Sequence, residues 1–348
     1  MSPIKWLNIY ILIENVCGIY RNYPSLTKTK KYFIAIQIFV QNLLHVLMVI
    51  YKIYLLAMAN SAVLDYVVHG INTVSSYLSL WISIAYGITY SHSFASYCTS
   101  VTRVYQVLIC HKEISYSFRN TYYWASLVMS TLLFINALAT SVDGYIMRFK
   151  SQGIIEILRL ISELAMRSTM AYENFMLFIV VMTIVDLSKT LISLMVEAQQ
   201  RVHRCGTSEV ITGETINRWV ELYQELVNCC DKVAVCFGGQ FERGMDVKLW
   251  IVVITYVIDI TLPLVATQMA RNQWTKCQQV MARLHNSMIE DASTTERKMV
   301  KDFLRVIKKY PLHIRFMSKV PVGIFLLPAI LSVIVNRVIV LLQFTHVI

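Results

Sequence analysis

Charged residues and the signatures of soluble chemistry are what this chain has least of. Only 15% of its 348 residues are Asp, Glu, Lys or Arg, and 56% are hydrophobic, against about 25% and 45–50% in soluble domains. That balance excludes an ordinary soluble globular protein and indicates an all-α, polytopic membrane protein. No HExxH, GxSxG, GxGxxG or phosphate-binding loop occurs, and the eight histidines do not pair at ligand spacing inside an apolar segment. These absences argue against an enzyme, and no cofactor or metal is expected. The eight cysteines form no CxxC or Cys/His metal pattern and read as free thiols. No Asn-x-Ser/Thr sequon marks a glycosylated outer loop. A cleavable leader is not expected: Trp6 to Ile13 is broken by Asn8 and lacks a small-residue cleavage site, so the first true span is expected to act as the insertion signal. A transporter would show matching halves; Pro263 and Pro328 interrupt apolar segments, but no repeat accompanies them.

What is present is a series of long apolar segments separated by basic connections. Residues 1–32 carry Lys5, Arg21, Lys28, Lys30 and Lys31 against Glu14 alone, which places this segment in the cytoplasm. Spans are expected over Phe33–Ala59, Val63–Tyr90 and Tyr122–Met147, then from Gly153 to about Leu194, so that 33–196 holds the first four. The fourth carries Glu156, Arg159, Glu163, Arg167 and Glu173 in its first half, too polar a set to face lipid. In the polar stretch 197–248, Ile216, Trp219, Tyr223, Leu226, Cys230, Val233 and Phe237 alternate spacings of three and four, predicting a cytosolic amphipathic helix that packs on others. A span over 249–269 follows. Within 270–320 two amphipathic helices are expected, Trp274–Met288 and Glu296–Tyr310, the latter opened by a Ser293-x-x-Glu296 capping box and stopped by Pro311.

The last segment, 321–348, has Arg337 as its one charge between Val322 and Phe344 and is long enough to cross. Ser332, Asn336 and Gln343 share one face, with Arg337 about 100° away. Such a polar wall suits a pore lining, and equally suits hydrogen bonds between packed helices. The count conflicts with the charge. Residues 270–320 hold eleven Lys/Arg against four Asp/Glu, yet six spans from a cytoplasmic N-terminus would leave them outside. A span missing between the heptad-patterned helix and Leu249 resolves the conflict, and leaves the C-terminus extracellular. The net charge of +11 is thus an orientation signal, with no nucleic-acid partner implied.

The ending Asn336 to Phe344 (NRVIVLLQF) resembles the signature of the insect gustatory receptor family, which closes its last helix with Thr-Tyr, five mostly apolar residues and Gln-Phe. Gln343 and Phe344 match, whereas Asn336 and Arg337 stand where the family has Thr and Tyr. The basic N-terminus, the close spacing of spans one and two, the helical cytosolic loop and the paired amphipathic helices before a terminal span are also similar to that family. Its members have seven spans, and the absent one here is most like the fifth, since VAVCFGGQ (Val233–Gln240) leads into no span of its own.

The resemblance implies a plasma-membrane, ligand-gated, non-selective cation channel for a small-molecule tastant, in the bitter or plant-derived class given a moth-like ending. It also implies contact with membrane lipid and a homo- or hetero-tetramer with other receptor subunits, with Ser332, Asn336 and Gln343 on the pore. A ligand pocket among the outer halves of the spans would draw on Asp65, His69, Asn136, Tyr172, Glu173, Trp250 and Tyr256. Helix packing or ion pairing, such as Arg167 with Glu163, is the simpler account of each. Alternatives are a non-conducting truncated isoform, an odorant-type receptor and, more remotely, a membrane enzyme or transporter.

Overall fold

The structure is a computed structural model. It describes residues 3–16, 18–21, 26–58, 77–78, 80–110, 124, 127–128, 131, 153–205, 212–237, 250–288, 294–312, 314–316, 320–321, 323–329 and 332, with most side chains over 153–171 and those over 250–260 outside the description. In chain order the described helices are α1 (Pro3–Val16), α2 (Lys28–Met58), α3 (Leu80–Thr89), α4 (Ser91–Cys110), α5 (Gly153–Cys205), α6 (Gly213–Phe237), α7 (Trp250–Ser287) and α8 (Thr294–Lys309). A two-residue antiparallel pair, β1 (Arg315–Phe316) with β2 (Val320–Pro321), follows. The fold is otherwise helical, as the composition requires.

The second half of α5 is the centre. From Phe175 to Met182 every side chain is buried, and Ile184, Val185 and Leu187 continue the run. A helix apolar all round needs cover all round; α1, α4, α6 and α7 supply it. The seven heptad-spaced residues of α6, Ile216 to Phe237, are all buried, and Leu222, Cys229 and Cys236 join them. On α8, Val300, Phe303 and Ile307 are buried while Arg297, Lys298, Lys301, Arg305, Lys308 and Lys309 are exposed. Aromatic donors tie the helices together where packing alone would let them slide: the Tyr97 hydroxyl donates to the Val180 carbonyl (2.9 Å), Tyr223 to that of Tyr310 (2.7 Å), and the Trp274 indole to that of Ile307 (2.9 Å).

Helix α2 has the opposite pattern. Phe33, Ile36, Val40, Leu43, Leu47, Ile50 and Tyr54, spaced alternately by three and four, are all exposed. An apolar stripe of that length left uncovered is what lipid would cover.

Four elements depart from the sequence expectation. Helix α1 and helix α4 lie where only a basic segment and a connection were foreseen. The helix that holds the fourth apolar segment continues past Leu194 to Cys205, and its apolar half is enclosed by helices. Helix α7 passes without a break from the expected span into the amphipathic stretch beyond Met269. No Gly lies between Met269 and Ser287 to end it, and Pro263, inside the helix, does not break it; the change in polarity there marks a change of surroundings, not a helix end.

Candidate functional site

The densest polar arrangement among the described residues forms around the turn that follows α1. Gly18 adopts φ +89°, the left-handed conformation that glycine reaches without strain. Its amide donates to the Asn15 carbonyl (3.2 Å) and that of Ile19 to the Glu14 carbonyl (3.0 Å), the paired bonds of a Schellman cap. The chain thereby doubles back, and Arg21 returns over Glu14. Helix α3 approaches this turn closely at Gly87, where a Cβ would lie 2.9 Å from the Ile19 side chain.

Arg21 is only 2% exposed. Its Nε donates to both Glu14 oxygens (3.2 and 3.1 Å), Nη2 to Glu173 Oε1 on α5 (3.2 Å), and Nη1 to the Cys236 carbonyl at the end of α6 (3.3 Å). The Ser83 hydroxyl of α3 donates to the other Glu173 oxygen. The guanidinium carbon lies 4.0 Å from the Phe237 ring centre and 5.8 Å from that of Phe94, a cation–π setting. One residue thus joins α1, α5 and α6, and through Glu173 also α3. Burial works against the Arg21 charge, but Glu14 and Glu173 outweigh it and hold its pKa above the ordinary arginine value. Burial, reinforced by Glu173 and opposed by Arg21, pushes the Glu14 carboxyl up to about 7.

A second polar point joins α2 to α5. His45 is buried with Nδ1 2.5 Å from Ser162 Oγ, its ring edge-on to Tyr77, and no hydrogen-bond partner at Nε2 among the described residues. Among the described residues the cysteines offer no redox chemistry. Cys98, Cys229, Cys230, Cys236 and Cys277 are free thiols, and burial pushes Cys98, Cys229 and Cys277 up to about 12 and Cys236 to about 11, far above the range of a reactive thiolate.

Of the residues singled out in the sequence, Glu173 is buried in the Arg21 junction and Tyr172 beside it is half-buried. Ser332 is helical and exposed. Trp250 and Tyr256 are helical in α7, their side chains outside the described residues; Asp65, His69, Asn136, Asn336, Gln343 and Phe344 lie outside them altogether. The junction around Glu173 rests on Glu14 and Arg21, which the sequence offered only as scattered charges. A lone Glu in a basic segment was the available signal.

In structure the chain is similar to the insect olfactory receptor OR5 from Machilis hrabei, with a TM-score of 0.55 over 98% of this chain and 98% of that one, at 13% sequence identity. It has the fold of an insect olfactory receptor. No protein-family model matches the sequence, and no curated protein matches it. On this olfactory-receptor fold, the Arg21 junction sits where the first segment meets the helices that bury α5.

Proposed function

We propose that the chain is a chemosensory receptor that binds a small molecule and opens a non-selective cation pore in the plasma membrane, working as a tetramer of like or related subunits. The observation that carries this reading is the fold shared along nearly the whole length with an insect olfactory receptor. The exposed apolar stripe of α2 supports a membrane setting. The gustatory assignment, with bitter plant compounds as ligands, rests on Gln343-Phe344 and the terminal helix alone.

The same reading divides the molecule by level. Helix α2, the segment leading into α3, the part of α5 before Glu173, the first half of α7 and the terminal segment would lie in the bilayer. The apolar half of α5 would lie below it in the cytosol, because the helices that cover it carry charge outward: α6 through Arg218 and Glu221, and α8 through its basic face. Charged faces of that kind do not meet lipid. The terminal helix would supply the pore through Ser332, Asn336 and Gln343, whose hydroxyl and amide oxygens can replace part of a cation's hydration shell.

Expression of the full chain in cultured cells, with surface labelling to establish delivery, tests this directly. Whole-cell current is expected on application of a panel spanning bitter plant compounds, sugars and volatile odorants. Replacing Gln343 with Ala should alter ion preference without reducing surface level. Delivered protein that stays silent across the panel, alone and with co-expressed receptor subunits, overturns the proposal.

A further inference from the structure

We propose that the Glu14–Arg21–Glu173 junction is a proton-binding latch, in which one proton from the cytosol locks the N-terminal strap (α1 and the turn to Arg21) against α5 and α6, and loss of that proton loosens it.

Among the described residues one guanidinium faces two carboxylates, so with both ionised these three groups carry an excess negative charge at residues that are each no more than 2% exposed. Desolvation makes such a charge costly, and a shared proton removes it. Among the described residues the charged or titratable groups facing Glu14 are Arg21 of the strap and Glu173 of α5; Cys236 of α6 faces Arg21 and stays a neutral thiol. Ser83 of α3 contributes a hydroxyl that already bonds Glu173. Glu173 accepts from both Arg21 and Ser83, whereas among the described residues Glu14 accepts from Arg21 alone, so Glu14 is the carboxyl that takes the proton.

The sign follows from linkage. The Glu14 carboxyl is raised from its usual 4.5 to about 7, so the folded junction holds a proton that the unfolded chain would release. Stability of the strap is full at or below about pH 4.5, falls as pH rises toward about 7, and levels off above. A cytosolic change on either side of neutrality lies on the upper part of that slope. Helix α2 begins at Lys28, shortly after Arg21, so the footing of the first membrane helix would follow the state of the latch.

Trypsin reports the latch at its own hinge, because cleavage after Arg21 requires a side chain that the closed junction buries. Full-length protein in lipid nanodiscs would be digested at about pH 6 and about pH 8, with cleavage after Arg21 normalised to cleavage after the exposed Lys28 and Lys30. The ratio is expected to rise roughly tenfold between the two. In Glu14→Gln, which keeps the shape and removes the titration, the ratio should stay low at both. A flat wild-type ratio, or a Glu14→Gln ratio that rises as the wild type does, overturns the proposal. Infrared titration of the protonated Glu14 carbonyl band serves even where the variant folds poorly: a midpoint near 7 supports the latch, and one in the ordinary carboxylate range, about 4 to 5, removes it. Neither readout involves ligand or current, so its failure would leave the receptor reading standing.

Discussion

A guanidinium with 2% exposure persists in a fold only when every strong partner is in place, and Arg21 has two carboxylates, a backbone carbonyl and two aromatic rings. Removing it leaves two buried carboxylates facing each other. Arg21→Met is therefore expected to destabilise the protein by about 3–5 kcal/mol, read as a lowered thermal midpoint at about pH 7.5, with a smaller loss at about pH 5.5, where Glu14 takes up a proton. A loss that does not depend on pH would show that packing of the side chain, and not its charge, holds the strap. Sequence alone could not reveal this residue. Its partners stand 7, 152 and 215 positions away, and a single Arg in a basic segment reads first as an orientation signal.

Patterns within one helix were legible, and what lies across from a helix was not. The spacing of Ile216 to Phe237 foretold the buried face of α6 because an amphipathic helix carries its partner's position in its own periodicity. The same rule would have found α4, whose Phe94, Tyr97, Val101, Val104 and Leu108 repeat at three and four and are all buried. An all-apolar helix has no such face, so α2 and the second half of α5 look alike in sequence and differ in surroundings. Substitution separates them. Leu43→Arg, on the exposed stripe of α2, should impair membrane insertion, by about 2.5–3.5 kcal/mol if the residue sits near the bilayer centre, and leave the thermal midpoint of protein that does insert close to wild type. Met182→Ala, at a fully buried α5 position, should insert normally and lose about 2–5 kcal/mol of stability. Glycosylation-tag insertion assays and thermal unfolding would read the two effects, and equal behaviour in both assays would mean that α2 and α5 share one environment.

At the scale of the whole molecule, connection lengths and charge must agree with a single orientation. Helix α6 ends at the Arg21 junction, on the side of the N-terminal segment, and α7 returns to the same bundle to pack on α5 and α8. If the first half of α7 crosses the bilayer on its way there, the chain must first reach the far side between Phe237 and Trp250. Only residues 238–249 are available, and a helix of that length rises about 18 Å against a hydrocarbon core of about 30 Å. The expected topology puts both the N-terminus and the basic stretch around α8 in the cytosol, because α6, α8 and the strap pack into one bundle and cannot lie on opposite sides of a membrane. Epitope tags at the N-terminus and beside Lys308 should accordingly both be hidden in intact cells and both be exposed after permeabilisation. A tag at Lys308 that antibody reaches from outside, with the N-terminal tag protected, would require the bundle to come apart and would establish that the six apolar segments insert in simple alternation.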